Sequence, residues 1–130
     1  MNDKQTIEVV AGIIFDSTRN VLLSKRPKHL HQGGLWEFPG GKVEAGESHF
    51  DALKRELLEE LDVSIDSAEP FLDQLYDYPE KTVRLFFFEV NSWRGEPRGM
   101  EGQEIRWVAP EKLQGFEFPA ANTAVVKALS

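Results

Sequence analysis

Two segments near the start of the chain consist mostly of hydrophobic residues, and this pattern predicts strands. The aliphatic and β-branched segments at 7–15 and 21–23 predict two strands, and the turn-forming residues at 16–20 predict that they pair as a hairpin. A loop rich in Pro, His and Gly at 27–34 leads to a tight turn at Pro39-Gly40-Gly41. Three later segments predict further strands, at 71–78, 82–93 and 104–108.

A helical spacing interrupts the strand pattern in the middle of the chain. Apolar residues recur at spacings of three and four after Ser48, which is a good N-cap residue, so the pattern predicts a helix over 48–61. A closing helix is expected at 122–129. Strands combined with two helices, without an internal repeat or a linker, predict a single domain over 1–130 of the α/β (α+β) class.

Composition and charge narrow the class of protein. The chain has 130 residues, 41% of them hydrophobic and 28% charged, which is typical of one globular domain. It has no cysteine, so disulfides, zinc–thiolate sites and thiol nucleophiles are excluded. The net charge of −7 argues against binding to polymeric nucleic acid. The apolar segments are far shorter than the roughly 18 residues of a membrane span, and the polar N-terminus does not resemble a secretion signal, so we expect a cytoplasmic protein without membrane contact.

Three glutamates of the predicted helix, Glu56, Glu59 and Glu60, fall within an arc of roughly 100° beside the apolar stripe. They lie in the second half of the helix, where the helix dipole disfavours acidic side chains by roughly 0.3–1 kcal/mol each. Two interpretations are open: a solvated acidic face, or a site for a hard divalent cation such as Mg²⁺ or Mn²⁺. The fourth carboxylate, Glu47, and the glycine turn upstream favour the cation site. A bound cation would also explain how an acidic protein accepts a polyphosphate.

The spacing of these residues resembles the 23-residue box of the Nudix hydrolases. Eight of its nine specified positions match in register, namely Gly41, Glu47, Arg55, Glu56, Leu57, Glu59, Glu60 and Val63. The exception is Asp62, where the family has glycine. This position is expected to form a left-handed cap after the helix, a conformation that glycine adopts freely and that Asp tolerates better than most residues. We therefore expect the departure to affect stability and not chemistry.

Outside the box, the chain is similar to the MutT type of Nudix hydrolase over nearly its whole length. The likeness is carried by Ser24-Lys25-Arg26, Trp36-Glu37-Phe38-Pro39-Gly40, Gly99-Met100-Glu101-Gly102-Gln103 and Phe118-Pro119-Ala120-Ala121-Asn122. The resemblance implies an α/β/α sandwich with a mixed sheet. It also implies metal-dependent hydrolysis of 8-oxo-dGTP and 8-oxo-GTP to the monophosphate and pyrophosphate, with water attacking the β-phosphorus. We expect a monomer whose partner is the nucleoside triphosphate substrate.

The resemblance implies roles for individual residues. The metal ligands would be the Gly40 carbonyl and the carboxylates of Glu56, Glu59, Glu60 and Glu101, with Mg²⁺ as the expected ion and Mn²⁺ as the alternative. Arg55 would orient the carboxylates, and these four glutamates with Arg55 form the predicted catalytic set. Glu56 and Glu101 are the candidates for the general base, although either could be a metal ligand only. The nucleotide would contact Arg26, His31, Glu37, Phe38, Pro39, Gly40, Lys42 and Asn122, with Lys42 on a phosphate.

Asn122 carries the prediction of base selectivity. Oxidation at C8 converts guanine N7 from an acceptor into an N–H donor, so an asparagine could accept from N7 and donate to O6. Ordinary guanine would leave the amide oxygen unpaired, at a cost of about 1–3 kcal/mol, which gives up to about a hundredfold discrimination. Asn122 could instead cap the last helix, and His31 could be solvated. Phe38 is expected to serve both the core and the pocket, and Lys81 to lie in a loop with only weak support for a nucleotide contact.

Two rival functions remain open on the sequence. A Nudix enzyme for another nucleotide, such as CTP, dCTP or a dinucleoside polyphosphate, would share the box and differ in the base pocket. Asn122 and the preceding Phe118-Pro119 count against it. The other rival is a non-enzymatic nucleotide-binding domain. Such domains usually have a damaged box, whereas this chain retains every carboxylate.

Overall fold

The computed structural model describes residues 4–27 and 33–130. The strands in these residues are β1 (Gln5–Ile13), β2 (Val21–Lys25), β3 (Trp36–Glu37), β4 (Gly40–Lys42), β5 (Ser64–Asp77), β6 (Lys81–Arg94) and β7 (Ile105–Val108). The helices are α1 (His49–Leu61) and α2 (Thr123–Leu129), with 3₁₀ helices at Pro110–Gly115 and Ala120–Asn122. Both predicted helices and the later predicted strands are confirmed. No helix in this part of the chain is long and apolar enough to cross a membrane.

The strands form two sheets. Four strands in the order β4-β1-β6-β5 form a mixed sheet, in which β1 and β6 are parallel and the other pairs antiparallel. The order β3-β2-β7 gives a second, antiparallel sheet. The hydrophobic run of β1 is continuous because this central strand is buried on both faces: Val10 contacts one core, and Ala11 and Ile13 contact the other.

The predicted hairpin between the first two strands is confined to the residues next to its turn, and its extension along both strands was wrong. Phe15 and Val21 form an antiparallel bridge, and the Leu22 N–H donates to the Ile14 carbonyl at 3.0 Å, but β1 and β2 belong to different sheets. The turn itself forms as expected, because the Asp16 carboxylate accepts hydrogen bonds from the backbone N–H groups of Thr18 and Asn20, both at 2.9 Å. Turn residues specify a reversal of the chain but not the strand with which each arm pairs.

The helices cover opposite sides of the sheets. The α1 side chains Ala52, Leu53, Leu57 and Leu61 are fully buried against one core. Val125 and Val126 of α2 pack into the core on the other side. Each leucine buried in this way stabilises the fold by roughly 1.5–3 kcal/mol. The predicted α/β/α sandwich with a mixed sheet is therefore confirmed.

Both ends of α1 are capped by the residues that the sequence predicts. The Ser48 hydroxyl accepts a hydrogen bond from the backbone N–H of Asp51 at 3.0 Å. Asp62 follows the helix in the left-handed conformation, with φ 59° and ψ 35°, and its N–H donates to the Leu58 carbonyl at 3.1 Å. The Asp62 carboxylate also forms a surface ion pair with Arg98 at 2.8 Å. The residue therefore combines an unfavourable backbone conformation with a partly compensating side-chain contact.

Replacing Asp62 by glycine should raise the free energy of unfolding by about 1 kcal/mol once the ion pair is absent, because glycine adopts positive φ without cost. We therefore expect the full gain in an Arg98→Ala background and a smaller one in the unmodified chain, since an exposed ion pair contributes about 0–1 kcal/mol. Urea unfolding of the four variants in this cycle measures both values. A lower denaturation midpoint for Asp62→Gly in the Arg98→Ala background would contradict the capping argument.

Candidate active site

A cavity of about 220 Å³ lies against the four-stranded sheet. Its wall residues lie in or next to β1, β3, β4, β6 and the last 3₁₀ helix, together with Arg26, which directly follows β2. Among the lining residues are six that the sequence predicted for nucleotide binding, namely Arg26, Glu37, Phe38, Gly40, Lys42 and Asn122. Residues from five separate parts of the chain therefore meet at one small-molecule cavity.

One predicted nucleotide contact, Pro39, is not among the residues that line this cavity. Pro39 is buried, and its carbonyl accepts a hydrogen bond from the N–H of Gly12 at 2.8 Å, so it ties the turn before β4 to β1. His31 lies outside the described residues, and its role stays a prediction.

Sequence reasoning missed part of the cavity wall. Tyr78, Val83 and Leu85 line it, and Lys81 lies there as the first residue of β6 instead of in a loop. Alternation along a strand places residues 81, 83 and 85 on one face, so the periodicity could have grouped them. It could not have shown which face meets the site.

Asn122 lies in the cavity wall and is only 5% exposed. It stands immediately before α2, but its side chain makes no hydrogen bond to the first turn of that helix. The amide nitrogen has a long, 3.4 Å contact with the Pro119 carbonyl. The interpretation of Asn122 as a helix cap is therefore wrong, and its polar side chain lies at the cavity instead.

Phe38 belongs to both the core and the cavity, as expected. Its ring is stacked on Phe118 at a centroid distance of 5.6 Å and meets Phe87 edge to face at 5.8 Å. Only 3% of Phe38 is exposed, although it lines the cavity. These contacts give the cavity a rigid aromatic wall.

Arg26 and Glu37 form an ion pair at 3.1 Å at the cavity wall. The pairing of β2 with β3 brings these residues together, because Ser24 lies opposite Glu37 in the ladder. Burial raises the pKa of the Glu37 carboxyl, while the Arg26 guanidinium opposes that shift and the Glu101 carboxylate adds to it.

Glu60 has the most strongly shifted acidity of the glutamate cluster on α1. Burial raises the pKa of Glu60 to about 9, and the carboxylates of Glu56, Glu37, Glu101 and Glu59 add to the shift. Burial also raises the pKa of Glu56. The Glu60 Oε2 atom is buried without a hydrogen-bond partner among the described residues. These five carboxylates therefore share one electrostatic environment, and one of them carries an unsatisfied buried oxygen.

Arg55 ties this cluster to the segment before the helix. It makes a two-point contact with the Glu47 carboxylate, at 2.7 Å from Nε and 3.0 Å from Nη2, and Nη2 also donates to the Lys42 carbonyl at 3.0 Å. Its Nη1 lies 3.4 Å from the Glu56 carboxylate. Hydrogen bonding to Arg55 lowers the pKa of Glu47 to about 2. The guanidinium is thus fixed at the edge of the cluster, where it can orient Glu56.

The loop between β6 and β7 brings Glu101 to the same place. The backbone N–H of Met100 donates to the Glu60 carbonyl at 3.0 Å, and that of Arg98 donates to the Leu61 carbonyl at 2.9 Å. The last carbonyls of α1, which have no partner within the helix, are therefore satisfied by this loop. Because the loop is docked there, the Glu101 carboxylate is close enough to affect the pKa of Glu60.

A hard divalent cation fits this set of donors. The carboxylates are oxygen ligands, and several of them are held in an environment that disfavours their negative charge. Glu60 Oε2 has no hydrogen-bond partner within residues 4–27 and 33–130. Among residues 4–27 and 33–130, no three acidic or histidine side chains already converge as a preformed metal site. The glutamate side chains would therefore have to rotate toward one another to bind a cation.

The two glycines of the turn at β4 are required for different reasons, and alanine at each should have a different effect. A Cβ at Gly41 would lie 2.2 Å from Glu56 Oε2, the flexible end of a side chain, whereas a Cβ at Gly40 would lie 1.9 Å from the backbone carbonyl of Val10. We expect Gly41→Ala to displace the Glu56 carboxylate and to lower kcat by about tenfold or more with little loss of stability. Gly40→Ala should destabilise the sheet.

Thermal unfolding and steady-state kinetics on both variants separate these effects. The matched pair controls for the added methyl group. A Gly41→Ala protein with unchanged kcat at saturating metal would mean that the position of Glu56 beside this glycine does not matter for turnover.

The fold and the site together define a class of protein, an α/β/α sandwich that places the glutamates of one helix beside a small-molecule cavity. The model of the NUDIX domain family matches residues 10–128, and the chain belongs to that family. Nudix hydrolases depend on divalent metal ions in general. The resemblance of the box residues is thus confirmed, and the protein is a pyrophosphohydrolase.

Similar proteins span almost the whole chain. The 8-oxo-dGTP diphosphatase of Haemophilus influenzae is 42% identical over 127 residues, which cover 98% of this chain and 93% of that protein. The CTP pyrophosphohydrolase of Escherichia coli is 35% identical and covers 94% of this chain, with 90% of its own length matched. A solved structure from a study of MutT of Aliivibrio salmonicida and Vibrio cholerae is 43% identical, with a TM-score of 0.83, and covers 96% of this chain and 97% of its own.

Proposed function

We propose that this protein hydrolyses 8-oxo-dGTP, and 8-oxo-GTP, to the monophosphate and pyrophosphate, and so removes oxidised guanine nucleotides from the precursor pool. The observation that carries the proposal is the buried amide of Asn122 in the cavity wall, which the neighbouring helix does not use as a cap. The relative from Haemophilus influenzae named 8-oxo-dGTP diphosphatase, at 42% identity, supports it. The protein would act as a monomer in the cytoplasm.

The base would enter the cavity beside Asn122 and Phe38. The Asn122 oxygen would accept from N7–H of the oxidised base, and its NH₂ group would donate to O6. The apolar wall of Val83, Leu85 and Phe38 would exclude water from these hydrogen bonds. Arg26, paired with Glu37, would border the nucleotide at the opening toward the acidic cluster.

The phosphates would extend from the base toward α1. The Gly40 carbonyl and the carboxylates of Glu56, Glu59, Glu60 and Glu101 would hold Mg²⁺, which when bound offsets phosphate charge and lowers the pKa of the attacking water. Lys42 lines the cavity between the two regions and would contact a phosphate. Glu56 or Glu101 would accept the proton of the water as it attacks the β-phosphorus. Arg55, fixed by Glu47, would keep Glu56 in position.

Hydrolysis of CTP is the second candidate function. It is favoured by the 35% identity to the CTP pyrophosphohydrolase of Escherichia coli. An asparagine amide could also pair with the N3 acceptor and the N4 donor of cytosine, so Asn122 alone does not separate the two substrates.

The deciding experiment measures kcat/KM with Mg²⁺ for 8-oxo-dGTP, dGTP, CTP and a dinucleoside polyphosphate, and identifies the phosphate product. We expect 8-oxo-dGTP to be preferred over dGTP by about a hundredfold or more, with release of pyrophosphate. A preference for CTP or the dinucleoside compound would keep the hydrolase and reject the proposed substrate. Failure to turn over any of the four would favour a nucleotide-binding role without catalysis.

A further inference from the structure

The side chain of Gln103 connects two backbone positions of the acidic site. Its Nε2 donates to the carbonyl of Glu60 at 3.1 Å, and its Oε1 accepts from the N–H of Glu101 at 2.9 Å. The first contact is to the last turn of α1, and the second is to the loop between β6 and β7. One amide therefore links the backbone of Glu60, whose carboxylate has a buried oxygen without a partner among the described residues, to the backbone of Glu101 in the loop.

The orientation of this amide follows from its partners. A backbone N–H can only donate, so it requires the Gln103 oxygen, and a backbone carbonyl can only accept, so it requires the Gln103 nitrogen. Reversing the amide would break both hydrogen bonds. A side chain of the same shape can make this connection only if it has both a hydrogen-bond donor and a hydrogen-bond acceptor.

The loop is shaped to bring Gln103 back to the helix. A Cβ at Gly99 would lie 2.1 Å from the Gln103 carbonyl oxygen, so the backbone passes too closely there for any other residue. Gly102 has a φ of 79°, in the left-handed region that favours glycine, and its N–H donates to the Gly99 carbonyl at 3.0 Å. Met100 donates to the same Glu60 carbonyl that accepts from Gln103.

We propose that Gln103 is a positioning residue, which fixes the backbone of Glu101 relative to that of Glu60 through these two hydrogen bonds and so sets the distance between their carboxylates. The inference rests on the proposed function, because it treats both glutamates as part of the site. Without Gln103, the Met100 contact would still hold the loop near α1. The turn that carries Glu101 would then be free to move.

The test compares Gln103→Met, which keeps the length of the side chain and removes both hydrogen bonds, with Gln114→Met at an exposed position as the matched control. Amide hydrogen exchange of Glu101 reports the contact directly, and electron paramagnetic resonance measures the dissociation constant of Mn²⁺. In Gln103→Met we expect exchange at Glu101 to be about fivefold faster or more, and Mn²⁺ to bind about tenfold more weakly. The control should match the unmodified protein in both measurements.

Kinetics add a second, independent comparison. We expect kcat with Mg²⁺ to fall by about tenfold, with KM for the nucleotide within about twofold, because the base pocket is unchanged. Gln103→Met combined with Glu101→Gln should be no slower than Glu101→Gln alone, since both changes act through the same carboxylate.

Three results would overturn the proposal: unchanged exchange at Glu101, unchanged Mn²⁺ binding, or equally faster exchange at Glu101 and in the core strand β6. If Gln103→Met does not fold, Gln103→Leu replaces it; it also removes both hydrogen bonds and adds no charge beside the glutamates, so exchange at Glu101 should still be faster and Mn²⁺ binding should still weaken. If the unmodified protein turns over no nucleotide, the proposed function fails, while exchange and Mn²⁺ binding still decide the role of Gln103.

Discussion

Replacing Glu60 by glutamine should remove most of the hydrolysis and, in the absence of metal, make the protein more stable. The loss of activity follows from removing one charged ligand of the proposed cation, whose contribution to the transition state is several kcal/mol, so we expect kcat to fall by about a hundredfold or more. The gain in stability follows from burial, because the surroundings of the Glu60 carboxyl disfavour its charged form and glutamine carries no charge. Removing such an unfavourably buried group stabilises the folded protein by roughly 1–3 kcal/mol.

The raised pKa of Glu60 determines the direction in which the stability of the protein changes with pH. The pKa of Glu60 is about 9 in the folded protein, compared with an ordinary value of 4.5, so between these values the folded state binds more protons than the unfolded state. The free energy of unfolding without metal should therefore fall as the pH rises from about 4.5 to 9. Glu60→Gln should flatten this slope, and its advantage over the unmodified protein should be largest near pH 9.

Chemical denaturation in the presence of a chelator at pH 5, 7 and 9 measures this difference in stability. With Mg²⁺ added, we expect the unmodified protein to be more stable than Glu60→Gln, because only the protein with Glu60 gains stability from the full set of metal ligands. Glu59→Gln is the matched control, because Glu59 is exposed on the same helix. It should leave the slope almost unchanged. A Glu60→Gln protein that is less stable than the unmodified chain at pH 9 without metal, or that turns over at the normal rate with Mg²⁺, would remove Glu60 from the proposed site.

Replacing Asn122 by alanine should reduce the preference for 8-oxo-dGTP over dGTP by up to about a hundredfold. The amide is the group proposed to accept from N7–H, which ordinary guanine lacks, and one unpaired buried acceptor accounts for this ratio. The ratio of the two kcat/KM values is the measured quantity, because it does not depend on the fraction of the variant that is folded.

Asn122→Asp is the matched variant for this prediction. A carboxylate still accepts from N7–H of the oxidised base but cannot donate to O6, so it should retain part of the preference that alanine loses. Asn122→Ala with an unchanged substrate ratio would place the recognition of the base on other residues of the cavity and would weaken the case for 8-oxo-dGTP.

Local patterns predicted the elements of this fold more reliably than their pairing. The spacing of apolar residues and the cap at Ser48 defined α1 to within one residue, because a helix is stabilised by contacts between near neighbours. The turn at 16–20 was equally visible, yet the strands on either side of it lie in different sheets. β1 pairs with β4 and with β6, which lies far along the chain, and hydrophobic alternation carries no information about these choices.

The site residues also divide into those that the sequence indicated and those that only the tertiary structure brings to the site. Asn122 and Phe38, which the resemblance assigned to the nucleotide, line the cavity, and the glutamates it assigned to the metal interact with one another at the edge of α1, while their roles stay predictions. The β6 face that completes the cavity was missed, because its residues are ordinary strand residues until the sheet places them there. The role inferred for Gln103 could not be read from the sequence either, since it depends on a contact with a backbone carbonyl of a distant helix.

The parallel pairing of β1 with β6 has a consequence for how the molecule is made. Gln5 lies opposite Lys81, so β1 cannot pair with β6 until residues 81–94 have been synthesised. The β5–β6 hairpin, by contrast, connects neighbouring segments and can form early. The cavity is completed later still, when Pro119 and Asn122 arrive near the C-terminus. Folding should therefore be slow for a domain of this size, and substrate binding should appear only after residues 119–122 have been synthesised.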